Sequence, residues 1–145
     1  MKVLIVYDST YGNTEQIARA IASAITGEVK VVRAGEVNLA ELNSHDLLVI
    51  GSPTQGGRPM SSVVELLAKI PESAIKGKNV AAFDTRIALA KLFGFAAVRI
   101  AKNLKEKGAV AIVPPEGFNV TAKKVPKLKE GELESATNWA KTLIK

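Results

Sequence analysis

The sequence predicts an α/β domain with a parallel sheet at its centre and helices on both faces of that sheet. Short apolar runs alternate along the chain with segments whose apolar residues recur at helical spacing. Most of the runs are continuously apolar, as expected for strands that are covered on both faces. Five such strands with intervening helices imply a single doubly wound domain over residues 1–145, with strand order 2-1-3-4-5.

The first half of the chain alternates strands with helices in this way. The run over residues 28–33 alternates between apolar and polar residues, which places that strand near a sheet edge. Gly27 ends the first helical pattern, and Pro71 closes the second. The predicted elements are a strand over residues 2–7, a helix over 13–26, a strand over 28–33, a short helical turn over 38–42, a strand over 46–50 and a helix over 60–69.

The second half repeats the alternation and ends in a helix whose first turn carries Glu130, Glu132 and Glu134, where the helix dipole favours acidic residues. A loop over residues 114–130 is long for a compact domain, which suggests a functional or partner-contacting role. The predicted elements are a strand over residues 78–83, a helix over 90–107, a strand over 109–113 and a helix over 130–144. The apolar stripes of the two helices are Phe93, Ala97, Ile100, Ala101 and Leu104, and Leu133, Ala136, Trp139, Ala140 and Leu143.

Composition excludes several classes of site. The chain has no cysteine, so it has no disulfide, thiolate metal site or cysteine nucleophile. Its single histidine, His45, excludes a His-rich metal site and argues against a Ser-His triad. No apolar run approaches the roughly 20 residues of a membrane span, and the apolar run at the amino terminus is too short for a secretory signal. We therefore expect a cytoplasmic protein that does not contact the membrane.

Charge is distributed unevenly along the chain. Residues 1–85 carry 8 basic and 9 acidic residues, whereas residues 86–145 carry 12 basic and 5 acidic ones. The lysines of the second half are not interleaved with aromatic and arginine residues as in single-strand nucleic-acid binders. The basic half could attract an acidic protein, nucleic acid or a membrane surface, but the lack of such interleaving favours a solvated lysine surface.

The segment from Asp8 to Thr14, between the first strand and the first helix, has the chemistry of a phosphate site. A loop that opens a helix presents unpaired N–H groups and the positive end of the helix dipole. Hydroxyl and amide groups surround Gly12, which lets the backbone approach a ligand closely. The alternative is that Asn13 or Thr14 only caps the helix.

Three unusual loops fall at one edge of the predicted sheet. They are residues 8–14, 51–59 and 84–88, which follow the first, third and fourth strands. Ligands of open parallel sheets bind outside the carboxyl ends of the strands where the winding reverses, here between the first and third strands. The three loops therefore form one candidate site.

In these loops the sequence resembles the flavodoxin family. The matching motifs are Ser9-Thr10-Tyr11-Gly12-Asn13-Thr14, Gly51-Ser52-Pro53-Thr54-Gln55-Gly56-Gly57, Asp84-Thr85-Arg86 and, before the last helix, Leu128-Lys129-Glu130-Gly131-Glu132-Leu133. The resemblance spans essentially the whole chain. It implies a flavodoxin-like three-layer sandwich, non-covalent FMN and the transfer of single electrons at low potential between redox protein partners.

The resemblance also assigns roles to residues of the three loops. The FMN phosphate would be held by Ser9, Thr10, Gly12, Asn13 and Thr14, with the backbone N–H of Tyr11. One side of the flavin ring would be lined by Pro53, Thr54, Gln55, Gly56 and Gly57, and the peptide of Gly56 would turn its carbonyl toward the flavin. The pyrimidine edge of the ring would be approached by Asp84, Thr85 and Arg86.

Two departures from the family pattern bear on function. Gln55 and Ile87 occupy positions where many flavodoxins place aromatic residues against the ring, so the ring is bound more weakly or is more open to a second molecule. The chain is also basic where flavodoxins are usually acidic. Arg58, Arg86 and the lysines of residues 123–129 therefore suggest an acidic partner that docks near the flavin, with the protein a monomer or weak homodimer.

Four functions remain to be weighed on this sequence. An electron carrier is favoured, because the loops contain no general-acid cluster and the chain has no nicotinamide-binding domain. A flavin-dependent reductase of quinones or similar small acceptors is the main alternative. A phosphoacceptor domain would need an aspartate where the third strand ends in Gly51 and Ser52. A scaffold of this fold without flavin is the fourth.

Overall fold

The computed structural model describes residues 1–88 and 94–144, and its strands form one parallel sheet. The strand order is β2-β1-β3-β4-β5, with β6 also paired to β4, which confirms the predicted order. The strands are β1 (Lys2–Tyr7), β2 (Glu28–Arg33), β3 (Leu47–Pro53), β4 (Asn79–Arg86), β5 (Val110–Ala111) and β6 (Glu116–Asn119).

Helices cover both faces of the sheet. They are α1 (Asn13–Ser23), α2 (Ser61–Lys69), α3 (Glu72–Ile75), α4 (Ala96–Glu106) and α5 (Glu132–Leu143), with 3-10 segments at Ala34–Glu36 and Leu39–Ser44. Helices α1 and α5 pack on one face, whereas α2 and α4 pack on the other. The structure is thus a three-layer sandwich.

This layering creates two hydrophobic cores, one on each face of the sheet, which explains why the strands are continuously apolar. Successive side chains of β1 point to opposite faces, so Ile5 packs with Ile17 and Trp139 while its neighbour Leu4 packs with the other core. Each fully buried aliphatic side chain contributes about 1.5–3 kcal/mol. A polar residue on either face of β1 would therefore destabilise the fold.

Strand β4 is longer than predicted, and this changes the position of one loop. The sequence suggested that Asp84, Thr85 and Arg86 leave the strand, but all three pair with β6, and Asp84 and Thr85 also pair with β3. Asp84 lies opposite Ser52 of β3 and opposite Gly117 of β6. The extra pairing with β6 keeps the backbone extended to Arg86, so the loop begins at Ile87.

The predicted strand over 109–113 and the predicted loop over 114–130 were wrong in part. Strand β5 ends at Ala111, Pro114 and Pro115 follow it, and β6 then resumes pairing with β4. After β6 an antiparallel bridge joins Val120 to Leu128. Residues 116–119 of the predicted loop therefore belong to the sheet, and residues 120–128 form a hairpin.

Helix boundaries differ from prediction at a few positions. Helix α1 ends at Ser23 rather than at residue 26. The start predicted for the helix over 90–107, including Phe93, lies outside the described residues. Leu133 was predicted on the buried face of the last helix, but its side chain is 46% exposed. Among the helices in the described ranges, none combines the length and apolar character that crossing a membrane requires.

Candidate functional site

A cavity of about 90 Å³ lies where the first, third and fourth strands end, at the switch point of the sheet. The three loops that the sequence predicted to meet do meet there. The cavity is lined by Ser9, Thr10, Tyr11, Asn13, Thr14, Pro53, Thr54, Gln55, Thr85, Arg86, Ile87, Val120 and Pro126.

The loop between β1 and α1 opens directly into the helix. Gly12 is the N-cap residue with φ of 88°, a left-handed conformation that glycine adopts at little cost, and no side chain caps the helix. The capping role considered for Asn13 or Thr14 is therefore absent. Within residues 1–88 and 94–144, no hydrogen bond engages the backbone N–H groups of Thr10, Tyr11, Asn13 or Thr14. These groups are free to bind an anion.

Asp8 holds this loop in shape, a role that the sequence analysis did not assign. Its carboxylate accepts hydrogen bonds from the backbone N–H of Ser9 at 2.8 Å, from the Arg33 guanidinium at 2.9 Å and from the Ser62 hydroxyl at 2.5 Å. The Ser9 hydroxyl in turn accepts from the N–H of Gly12 at 2.9 Å. Neighbouring elements thus fix the loop backbone before any ligand binds.

Two buried side chains tie the same loop to the rest of the site. The Thr14 hydroxyl lies 2.8 Å from the Thr85 hydroxyl at the end of β4, and Thr14 is 1% exposed. The Asn13 amide donates to the carbonyl of Pro126 at 2.9 Å. The loop over residues 8–14, which we call the phosphate loop after its predicted role, is therefore coupled to β4 and to the segment that follows β6.

A charged network lies beneath the loop. The Tyr7 hydroxyl donates to Glu15 at 3.0 Å, and Arg19 also binds this carboxylate at 3.1 Å. The hydrogen bond from Tyr7 and then that from Arg19 lower the pKa of Glu15 below its usual 4.5. Burial, and then the hydrogen bond to Glu15, raise the pKa of Tyr7 above 10.0. At neutral pH Glu15 is thus ionised and Tyr7 is protonated.

The loop after β3 closes over the other end of the cavity. Gly56 and Gly57 have φ of 58° and 80°, and Gln55 and Arg58 pair backbone to backbone around them, which is the geometry of a tight hairpin turn. The Gln55 amide donates to the Thr10 hydroxyl at 3.0 Å and so links this turn to the phosphate loop.

Polar side chains at the end of β4 form their hydrogen bonds with other groups of the protein. The Asp84 carboxylate is fully buried, pairs with Arg86 at 2.7 and 2.9 Å and accepts from the Ala97 N–H at 2.9 Å. The Arg86 guanidinium also packs 3.5 Å from the centre of the Phe95 ring. The Asp84 side chain therefore holds Arg86 and the start of α4, and the approach of Asp84 to a ligand stays a prediction.

Most of the residues predicted from the sequence line the cavity, and four do not. Three of these are Gly12, Gly56 and Gly57, whose positive φ angles shape the backbone of the loops. The fourth is Asp84, which binds Arg86. Val120 and Pro126 line the cavity but were not predicted. They lie in the segment that was read as a loop, and no local motif marks either residue.

The residues present fit the phosphate end of FMN. Free N–H groups of a helix N-terminus, with hydroxyls at Ser9, Thr10 and Thr14, are a donor set suited to a dianion. The cavity measures about 90 Å³, and Gln55 and Ile87 also line it.

Comparisons with known proteins agree with this geometry. A family model described as flavodoxin matches residues 5–141. A flavodoxin of Maridesulfovibrio salexigens is 31% identical over 118 residues, which cover 77% of this chain and 81% of that protein. Flavodoxin 2 of Bacillus cereus has a TM-score of 0.82 at 26% identity, over 99% of this chain and 98% of that one. A flavodoxin from the domain Archaea has a TM-score of 0.79 at 24% identity and full coverage of both chains, which supports the fold alone.

Proposed function

The chain belongs to the flavodoxin family, and we propose that it carries single electrons at low potential between redox protein partners by means of non-covalently bound FMN. Members of this family are flavin-binding electron-transfer proteins, and FMN is their cofactor. When bound, the flavin supplies the one-electron chemistry. The protein supplies binding, orientation and shielding.

The observation that carries this proposal is the open donor set of the phosphate loop. The N–H groups of Asn13 and Thr14 belong to buried residues, and buried backbone donors are rarely left without a partner. An anion at this position would satisfy them. The hydrogen bonds of Asp8 and Ser9 hold the donors in place, so little free energy is spent on ordering the loop when the anion binds.

The remaining predicted residues are proposed to hold the ring end. Pro53, Thr54 and Gln55 would line one side of the ring through the turn at Gly56 and Gly57. Thr85 and Arg86 would approach the pyrimidine edge, with Asp84 acting as a positioning residue for Arg86.

The test is a titration of the purified protein with FMN and with riboflavin, followed by reduction with dithionite in an optical cell. We expect FMN to bind much more tightly than riboflavin, because only FMN has a phosphate, and we expect reduction in two resolved one-electron steps. Failure to take up FMN would overturn the proposal. Equal affinities for FMN and riboflavin would remove the phosphate role.

The open ring end favours a second candidate, the direct reduction of a small planar acceptor such as a quinone. Gln55 is exposed and Ile87 is half-buried, and neither is aromatic, so a second planar molecule would have access to the ring. Rapid oxidation of NADH or NADPH by the FMN-loaded protein in the presence of a quinone would favour this candidate. Slow turnover without a protein partner would favour the carrier.

A further inference from the structure

A hairpin rich in lysine lies beside the phosphate loop. We define it as residues 120–128, closed by the antiparallel bridge between Val120 and Leu128. The N–H of Thr121 donates to the carbonyl of Lys127 at 2.8 Å, and the N–H of Lys127 donates to the Thr121 hydroxyl at 3.0 Å. The lysine hairpin is thus an ordered projection, and the Asn13–Pro126 hydrogen bond fastens it to the phosphate loop.

The lysine hairpin and the residue that follows it carry unbalanced positive charge. Residues 117–129 contain four lysines and no acidic residue. All four are exposed, and none forms an ion pair within the described part of the chain. They are Lys123, Lys124, Lys127 and Lys129. Concentrated, unpaired charge of this kind accelerates association with an oppositely charged partner more than it stabilises the fold.

A groove of about 620 Å³ separates the lysine hairpin from the starts of α1 and α5. Three large apolar side chains line it and remain exposed: Tyr11 at 55%, Val125 at 57% and Leu133 at 46%. Exposed apolar side chains gathered in one groove and rimmed by charge are typical of protein interaction sites. The outward position of Leu133, which departs from the helical pattern, is explained by its place in this groove.

The groove adjoins the cofactor cavity. Tyr11, Asn13 and Pro126 line both. A molecule seated in the groove would therefore touch residues that also border the proposed FMN phosphate site. Arg86 cannot serve the same partner, because its guanidinium is engaged by Asp84 and Phe95. Of the basic residues that the sequence suggested for docking, Lys127 and Lys129 line this groove, whereas Arg58 and Arg86 do not.

The mixed charges of the groove lining bear on the class of partner. Lys127 and Lys129 line the groove, and so do Glu130 and Glu134. A uniformly anionic polymer or lipid surface would be repelled by the two glutamates. A protein can instead place single carboxylates against the lysines and one protruding apolar side chain against Tyr11, Val125 and Leu133.

We propose that this groove is the docking site of an acidic redox protein, which binds the lysine hairpin through carboxylates and the floor at Tyr11, Val125 and Leu133 through an apolar side chain. The proposal rests on the proposed carrier function and assigns the partner's chemistry. The probe is a short synthetic peptide rich in glutamate and phenylalanine, titrated into the isotope-labelled, FMN-loaded protein and followed by amide NMR shifts.

We expect the shifts to cluster at Tyr11, Leu133 and the lysine hairpin. The double variant Lys127→Glu/Lys129→Glu should weaken peptide binding about tenfold, because each exposed ion pair contributes a fraction of a kilocalorie and the reversed charges repel. The control Lys102→Glu/Lys105→Glu makes the same change in net charge on exposed lysines of α4 and should weaken binding less than about twofold.

A second pair of variants tests the apolar floor. Val125→Ser should weaken binding about fivefold through lost apolar contact, whereas Val98→Ser, at a residue 53% exposed on α4, should change little. Equal losses in test and control variants, or shifts centred elsewhere, would overturn the docking site. So would tighter binding of heparin or of phosphatidylserine vesicles than of the peptide.

Failure of the docking site can be told apart from failure of the carrier function. FMN affinity is measured on the same variants, and we expect it to change less than about twofold because Val125, Lys127 and Lys129 do not line the cavity proposed for FMN. If FMN does not bind, the carrier function fails whatever the peptide does. If FMN binds and the hairpin variants match their controls, only the docking site fails.

Discussion

The two ends of the cavity that we propose for FMN use their polar groups in opposite ways. At the end proposed for the phosphate (the phosphate end), the backbone N–H groups of Thr10, Tyr11, Asn13 and Thr14 have no partner among the described residues. At the end proposed for the flavin ring (the ring end), polar side chains form their hydrogen bonds within the protein. Asp84 binds Arg86 and the Ala97 N–H, and the Thr54 hydroxyl accepts from the Ala96 N–H at 3.0 Å.

Ligand affinity and protein stability therefore depend on different ends of one site. Unpaired N–H groups destabilise the free protein and become favourable only when a ligand accepts their hydrogen bonds, as is usual for functional groups. Polar groups that already pair within the protein stabilise the fold but have little hydrogen-bonding capacity left for a ligand. Substitutions at the phosphate end should therefore act on affinity, whereas substitutions at the ring end should act first on folding.

The largest effect is expected from breaking the ion pair at the ring end. Arg86→Met would leave the Asp84 carboxylate buried without its countercharge, which costs about 3–5 kcal/mol in the free energy of unfolding. Urea unfolding at a fixed FMN concentration measures this loss.

Two controls accompany this variant. Arg19→Met removes an arginine whose pair with Glu15 is exposed, and it should cost less than about 1 kcal/mol. The double variant Asp84→Asn/Arg86→Met should recover part of the stability, because no unpaired charge remains. If Arg86→Met is as stable as Arg19→Met, the buried pair does not support the ring end.

The next largest effect is expected at the phosphate end, as a loss of affinity for FMN. Ser9→Ala/Thr14→Ala removes two hydroxyls from the donor set, and we expect FMN binding to weaken at least about 100-fold, because hydrogen bonds to a charged group contribute about 1.5–3 kcal/mol each. Riboflavin binding should change less than about threefold. Fluorescence titration with both flavins gives the comparison.

The matched control is Ser23→Ala/Thr137→Ala. These hydroxyls bond only to carbonyls of their own helices, Ser23 to Ala20 at 2.7 Å and Thr137 to Glu134 at 2.8 Å. The control should leave both affinities unchanged. If Ser9→Ala/Thr14→Ala lowered the affinities for FMN and riboflavin equally, the two hydroxyls would not bind the phosphate. The two ends of the cavity would then not be distinct.

The sequence predicted the two ends of the cavity unequally, because one depends on local features and the other on contacts between distant residues. The loop over residues 8–14 was predicted as an anion site because strand, glycine, hydroxyls and helix are contiguous in the sequence, so the features that predict it are local. The roles of Asp84 and Pro126 were missed because they depend on contacts with residues distant in sequence, Ala97 and Asn13. Strand β6 was missed because Pro114 and Pro115 resemble the start of a loop, and only pairing with β4 keeps the chain extended.

A smaller effect is expected from adding an aromatic residue at the ring end. Ile87→Trp would place a ring at the rim of the cavity, and stacking is worth about 0.5–1.5 kcal/mol, or roughly two- to tenfold in affinity. FMN and riboflavin should gain equally, because both carry the same ring. Ile87→Leu is the control and should change neither affinity. A gain confined to FMN would place Ile87 at the phosphate end instead.

The smallest effect concerns the charged network beneath the phosphate loop. The hydrogen bonds from Tyr7 and Arg19 lower the pKa of Glu15 in the folded protein. The stability that Glu15 contributes is therefore present above its unfolded pKa near 4.5 and is lost as the pH falls through its lower folded value. Glu15→Gln should make urea stability less dependent on pH below about 4.5, by less than about 1 kcal/mol.

Glu106→Gln, at an exposed glutamate of α4, is the control for this pH dependence and should retain the slope of the parent protein. The ratio of FMN to riboflavin affinity should stay constant in Glu15→Gln, because this carboxylate supports the loop from below and binds Tyr7 and Arg19. A changed ratio would mean that the network tunes the anion site itself. Tyr7, Glu15 and Arg19 would then be part of the binding site. The contrast between affinity and stability would remain only between the free N–H groups and the ring end.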